Sequence, residues 1–306
     1  MKKRKKPTTY LITGSTGFIG KNLSKYISLK KNCKIINVPR KINLSNEKIT
    51  HEYFKKIKNV NYIFHLADVS GNKEWSASNS FYQTLNNVKI HMHVIESWKL
   101  YHPNAKFVFV SSIWAYPIGK KILNEQDYWK GMILNKTRHY GYSKKIATIL
   151  IETAKKDFNL NGTTLVLGTV FGPGDNSDHF IPTIIRKMIK EKINLDIMGT
   201  GKESRDFIYI DDQIKAIYAH KDVDLSILNI GSGRLIKIKE VINILKDKMV
   251  YSGNISYQKN NTQNKDSERG MNIKRANLLT GWPKNYKLKN LTKALKLTIE
   301  DIKKNG

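Results

Sequence analysis

Cysteine occurs once in the 306 residues, as Cys33, so no internal disulfide framework can form and a reducing compartment suits the chain. No apolar run approaches the length of a membrane span. The start MKKRKKPTTYLITG has neither the apolar stretch nor the cleavage site of a secretory signal. A cytoplasmic protein is therefore expected, with no membrane partner. Arginine is scarce too, at 8 of 54 basic residues. The formal charge of +29 taken alone suggests a nucleic-acid or membrane-surface role. But the charge is mostly lysine, spread along the whole chain, and arginine is the residue suited to bidentate phosphate and base contacts. Beside the abundant Asn and Ile, this reads as a coding bias rather than a binding patch. No nucleic-acid partner is expected, although an anionic small molecule would still benefit from the field.

The sequence does contain regular alternation. Short apolar runs at 8–14, 34–38, 61–67, 106–112 and 163–170 read as buried strands, and helical patterns cover 17–30, 81–101 and 140–158. Strand and helix alternating in this way predict right-handed βαβ units and an α/β fold of Rossmann type, a doubly wound parallel sheet. Ligands of such sheets bind beyond the carboxyl ends of the strands. The irregular segment 113–139 is a candidate border of the site. After residue 171 the pattern changes to loop chemistry and shorter elements, with helices expected at about 183–191, 236–248 and 288–304 and a loop over 259–270. The expected division is a nucleotide-binding domain over 1–170 and a smaller α/β substrate-binding lobe over 171–306, with short segments returning to the first sheet.

TGSTGFIG places Gly14, Gly17 and Gly20 directly after the first strand, opening a helix. Glycines there allow a tight turn and let backbone N–H groups approach a diphosphate at the positive helix end. An acidic residue ending the second strand would accept the ribose 2′-hydroxyl of NAD. Here the strand runs into Pro39-Arg40-Lys41, which favours NADP(H) over NAD(H), with Arg40 carrying the inference. A tyrosine followed four residues later by lysine puts both side chains on one helix face, and the ammonium favours the phenolate. The spacing occurs three times, at Tyr26/Lys30, Tyr116/Lys120 and Tyr140/Lys144. The first lies at the far end of its helix. The second contains Pro117 and Gly119, so no helix sets its geometry. Tyr140/Lys144 opens the helix that follows the strand ending in Ser111-Ser112, and is the pair selected. His65 reads as structural, His91 and His93 do not share a helix face, and no metal site is expected. Asp211 and Asp212 read as caps of a following helix.

These motifs, with HLAD (65–68), VSSIWAYP (110–117), YGYSK (140–144), TVFGPGD (169–175), RDFIYIDD (205–212), LNIGSG (228–233) and LLTGWP (278–283), resemble the extended short-chain dehydrogenases/reductases that act on nucleotide sugars. Within that family the likeness is to GDP-L-fucose synthase-like enzymes. They reduce a 4-keto-6-deoxy sugar nucleotide with NADPH after epimerising it at C3 and C5. The resemblance implies Ser112 as the active-site hydroxyl, Tyr140 as proton donor to the C4 oxygen, Lys144 on the nicotinamide ribose and His179 as an acid near the sugar. It also implies cofactor contacts at Gly14, Thr16, Gly17, Phe18, Ile19, Gly20, Leu66, Ala67, Asn87, Tyr140, Lys144, Gly168 and Val170. Lys187 and Arg205 would meet the nucleotide diphosphate, and Asn272 stands where a carboxylate often contacts the substrate. A GDP-sugar is the favoured substrate, and a homodimer formed through helices 81–101 and 140–158 is implied. Two departures stand out. Trp114 occupies the place of the cysteine that serves as epimerisation base, and Ile113-Trp114 replace the acidic pair that dehydratases need. The alternatives are a redox-neutral, NAD-dependent nucleotide-sugar 4-epimerase and a non-catalytic nucleic-acid-binding relative.

Overall fold

The computed structural model describes residues 6–71, 73–133, 137–191, 193–258 and 268–305. The first five residues of the basic start and most of the stretch 259–270 lie outside them. In chain order the first half consists of β1 (Thr8–Thr13), α1 (Phe18–Ser28), β2 (Cys33–Asn37), α2 (Glu47–Lys56), β3 (Tyr62–His65), α3 (Lys73–Ser78), α4 (Ser80–Tyr101), β4 (Lys106–Ser112), β5 (Ile122–Leu123) and α5 (Arg138–Phe158). Then come β6 (Gly162–Leu167), β7 (Thr169–Phe171), α6 (Phe180–Lys190), β8 (Asn194–Met198), β9 (Ser204–Arg205), β10 (Phe207–Tyr209) and α7 (Ile210–Ala219). The chain ends with β11 (Ile227–Ile230), β12 (Ile236–Lys237), α8 (Ile238–Met249), β13 (Asn254–Gln258), β14 (Glu268–Met271), α9 (Lys274–Thr280) and α10 (Leu291–Asn305).

The main sheet has six strands in the order β11-β6-β4-β3-β1-β2, and the pairs β1·β2, β1·β3 and β3·β4 are parallel. The strand order reverses between β1 and β3, the switch point at which such sheets open a ligand crevice. The core under β1, β3 and β4 is apolar and tightly filled. Trp98 of α4 stacks on Phe107 of β4 at 4.6 Å between ring centroids and donates its indole N–H to Ala105 O at 2.9 Å. Helix α2 was not visible as a periodic pattern. Its signal is the cap: the Asn46 side chain accepts the Ile49 N–H at 3.0 Å, with Glu47 in the first turn.

The chain divides into two units. One comprises Met1–Ala115, Asn135–Val166 and Ile214–Leu228; the other Tyr116–Leu134, Leu167–Gln213 and Asn229–Gly306. The division is interleaved: Ile214–Leu228 goes with the first unit and Tyr116–Leu134 with the second. The irregular segment after β4 joins the second unit because its β5 pairs with β14, Ile122 against Gly270 and Leu123 against Met271. That pairing also makes a strand of residues 268–270, expected as loop. The run 163–170, read as one strand, breaks at Gly168: β6 stays in the main sheet while β7 pairs with β10. Asp211 and Asp212 lie inside the first turn of α7 rather than at its cap, and Asp212 accepts the Lys289 N–H at 2.7 Å. Among the described residues no helix is long and apolar enough to cross a membrane.

Candidate active site

The glycine turn is built as the sequence requires. Gly14 has φ +67°, a left-handed conformation that glycine adopts without strain, and a Cβ there would lie 2.6 Å from Ala67 N. A Cβ on Gly20 would lie 2.1 Å from Gly14 O, so only glycine lets α1 close on the turn. Gly17 occupies the N-cap of α1, which has no acidic residue in its first turn. This cradle of backbone N–H groups at an uncapped helix start fits a dinucleotide diphosphate. Leu66 and Ala67 follow β3, beside Gly14 at the switch point. Thr16 is exposed, and Phe18 and Ile19 are half-buried in the first turn of α1. Arg40 and Lys41 are exposed beyond β2, whose last residue, Asn37, accepts a hydrogen bond from Ser24 Oγ at 2.8 Å.

Asn87, expected on the cofactor, has another task. It is fully buried, with Oδ1 accepting the Val69 N–H at 2.6 Å and Nδ2 donating to Val69 O at 2.9 Å. Below this loop runs a polar relay. Thr13 Oγ1 accepts the N–H groups of Leu66 and Ala67, each at 3.2 Å, so its hydroxyl proton is left to donate to His65 Nδ1 at 2.7 Å. His65 Nε2–H then donates to His91 Nδ1 at 2.9 Å. Both imidazoles are fully buried and neutral. Burial, helped by the nearby Lys144 charge, lowers the pKa of His65 to about 3 and holds His91 well below the usual histidine range. His65 is thus structural, as read from the sequence.

All three Tyr/Lys pairs are resolved. Lys30 Nζ donates to Tyr26 OH at 3.0 Å, so the pair judged remote makes the closest direct contact. Tyr116 is buried and donates to Asn229 Oδ1 at 2.7 Å, while Lys120 pairs with Asp127 at 2.5 Å. Tyr140 and Lys144 lie in the first two turns of α5, against β4 at its carboxyl end. Lys144 Nζ donates to Val110 O at 3.2 Å and forms an ion pair with Asp68 Oδ2 at 2.8 Å. Tyr140 OH donates to the same Asp68 oxygen at 3.2 Å. A carboxylate thus joins the two, and Lys144 Nζ lies 5.5 Å from the Tyr140 ring centroid. Nothing in the HLAD motif by itself assigns Asp68 this place. Ser112 ends β4, its Oγ accepting the Trp114 N–H at 3.3 Å from the single helical turn Ile113–Ala115.

The first unit therefore carries Gly14, Gly17, Gly20, Leu66, Ala67, Ser112, Tyr140 and Lys144 along one sheet edge. Thr16, Phe18, Ile19, Arg40 and Asn87 belong to the same unit, whereas Gly168, Val170, His179, Lys187, Arg205 and Asn272 belong to the second. Gly168 donates its N–H to Ile230 O at 3.2 Å, and Val170 pairs with Ile208. His179 is the N-cap residue of α6, but its exposed side chain makes no capping bond. It shares a helix face with Thr183 and Lys187, spaced four residues apart. Arg205, on β9, donates to Ser204 O at 2.9 Å. The Asn272 side chain is engaged within the unit: Nδ2 donates to Asn124 Oδ1 at 2.7 Å and Oδ1 accepts the Lys274 N–H at 3.0 Å. Sequence reasoning also missed buried Asp206, which accepts from Ser232 N, Ser232 Oγ and Gly233 N at 2.7–2.9 Å and fixes the GSG loop. Glu47, His51 and Glu96 gather between α2 and α4, where His51 Nε2 lies 3.3 Å from Glu96 Oε2.

Residues 10–231 match the model of the NAD dependent epimerase/dehydratase family. A GDP-L-fucose synthase of Dictyostelium discoideum is 25% identical over 289 residues, 89% of each chain. A dTDP-D-glucose 4,6-dehydratase of the same organism is 29% identical over 275 residues, 76% of this chain and 61% of that protein. Among solved structures, a GDP-mannoheptose C4 reductase from Campylobacter jejuni with NADP bound shares the fold. Its TM-score is 0.86 at 24% identity, over 98% of this chain and 99% of that one.

Proposed function

The chain belongs to the NAD dependent epimerase/dehydratase family, and from that premise we propose that it reduces the C4 carbonyl of a nucleotide-linked 4-keto-6-deoxy sugar with NADPH, in the synthesis of a deoxysugar precursor. The observation that carries this reading is the convergence of the Tyr140 hydroxyl and the Lys144 ammonium at the carboxyl edge of the sheet that bears the glycine turn. The likeness to a GDP-L-fucose synthase over 89% of both chains supports a GDP-sugar as substrate. Arg40 and the absence of a carboxylate at the end of β2 support NADPH.

In the proposed reaction the backbone N–H groups of α1 hold the diphosphate and Lys144 holds the nicotinamide ribose. The bound cofactor supplies the hydride. As negative charge develops on the C4 oxygen, Ser112 donates a hydrogen bond to it and Tyr140 transfers its phenolic proton. Lys187 and Arg205 are assigned to the nucleotide diphosphate and His179 to a proton near the sugar. Asn272, occupied by Asn124 and Lys274, is left out. Trp114 carries no ionisable group to remove a proton from carbon, and with Ile113 it stands where dehydration needs two acids; dehydration is no part of the proposal.

The proposed assembly is a homodimer through α4 and α5. Phe81, Tyr82 and Leu85 of α4 and Tyr142, Ile146 and Ile149 of α5 are exposed apolar side chains, although α4 already buries Ile90, Val94, Ile95 and Trp98. An apolar surface on both sides of one helix calls for a second covering partner.

The test is to titrate cofactor-free protein with NADPH and with NADH, add GDP-4-keto-6-deoxymannose and analyse the product. Stoichiometric NADPH oxidation is expected, and the C3 and C5 configuration reports whether Trp114 has cost the epimerisation. No oxidation, with nicotinamide already bound after purification, would replace the reductase with a redox-neutral 4-epimerase.

A further inference from the structure

Asp68 takes no part in the proposed reaction, yet it is where Tyr140 and Lys144 meet. Its backbone is clamped on both sides. Ahead of it, Thr13 Oγ1 receives the N–H groups of Leu66 and Ala67. Behind it, Val69 N–H goes to Asn87 Oδ1 and Val69 O receives Asn87 Nδ2 and Gln83 Nε2 at 2.9 and 3.0 Å. These bonds use side chains from β1 and α4, so the direction of the carboxylate is set by the sheet rather than by the loop's own flexibility. One oxygen, Oδ2, takes both donors, the ammonium at 2.8 Å and the phenol at 3.2 Å. The Lys144 side chain is 3% exposed and that of Asp68 16%, so water screens the pair little.

The two ions act on Tyr140 in opposite senses. An ammonium nearby favours the phenolate, whereas a carboxylate that accepts the phenolic O–H favours the neutral phenol and opposes a second negative charge. The other charged or titratable groups around the site do not replace this effect. His65 and His91 are buried and neutral; His139 Nε2 engages Gln83 Oε1 at 2.8 Å; and Lys145 lies over the Tyr142 ring. A reductase must hold its phenol as a donor, and with Lys144 unopposed the proton would be shed at lower pH.

We propose that Asp68 is a positioning residue of this site: it anchors the Lys144 ammonium by an ion pair and keeps the Tyr140 phenol protonated, ready to donate. The direction of its usefulness rests on the reductase reading above; its effect on Tyr140 does not.

The test reads that effect without substrate. Phenolate absorbance of cofactor-free protein is titrated against pH in the wild type and in Tyr140→Phe, and the difference isolates Tyr140. The same difference is then taken in an Asp68→Asn background, where the shape is kept and the charge is lost. The ionisation midpoint of Tyr140 is expected to fall by about one to three pH units, and Asp68→Glu is expected to restore most of it. An unchanged midpoint in Asp68→Asn overturns the proposal. If that variant does not fold, as judged by circular dichroism, Asp68→Ala removes the same charge and is read in the same way. A protein that shows the shift but fails to reduce the keto sugar would refute the proposed reaction and leave the role of Asp68 standing.

Discussion

Lowering the pH from 8 to 5 should weaken the first unit through its buried imidazoles, and the size of the loss follows from the structure. His65 and His91 are both fully buried, and the relay Thr13–His65–His91 assigns each ring one proton. In the folded state neither takes up a second proton at pH 5, since His65 sits at about 3 and His91 is likewise held far below its usual range. In the unfolded chain each would titrate near 6.5, so the unfolded state binds more protons once the pH drops below that value. Stability is therefore complete above about pH 6.5 and falls as the pH is lowered. At pH 5 the unfolded imidazole is about 1.5 units below its midpoint, which at ~1.36 kcal/mol per unit gives about 2 kcal/mol for His65, and His91, lowered by burial, adds in the same direction. This result does not depend on how far below 5 the folded value of His65 lies. Against a typical total of about 5–15 kcal/mol it is large. His102, lowered by burial, adds in the same direction, while Asp206, pushed up to about 6 by burial, gains stability as it protonates. A subtraction removes both: urea unfolding at pH 8 and pH 5 is compared between wild type and His91→Leu. The variant should lose less over that interval, by up to about 2 kcal/mol. Equal losses in the two proteins would refute the buried-neutral assignment.

Tyr140→Phe is expected to bind NADPH as the wild type does, by fluorescence titration, and to lose at least ~100-fold in turnover, the scale of a positioned proton donor. Arg40→Glu should invert the cofactor preference, weakening NADPH more than NADH in the same titration, because a carboxylate repels the 2′-phosphate and accepts the 2′-hydroxyl. Leu85→Glu combined with Ile149→Lys alters only exposed positions. It should convert a dimer into a monomer in light scattering while leaving the melting profile of the dilute protein nearly unchanged.

Much of this protein was determined by its sequence alone. Gly14, Gly17 and Gly20 after a buried strand mark the nucleotide turn, and at Gly14 and Gly20 a Cβ approach under 3 Å, with a left-handed φ at Gly14, leaves no alternative residue. Tyr140/Lys144 was separable from two decoys by position, even though Tyr26/Lys30 makes the closer contact, because strand–helix order already says which loops share the carboxyl edge. Only the tertiary structure decided the rest. Asp68 reaches Tyr140 across 72 residues of chain, and nothing in HLAD says which donor its carboxylate will meet. The Asn87 clamp on Val69, the His65–His91 bond and the pairing of β5 with β14 are likewise set by which elements become neighbours. Local chemistry follows from dihedral limits and periodicity and can be read along the chain. A buried polar atom's partner follows from long-range packing, and that is settled only when the sheet has formed.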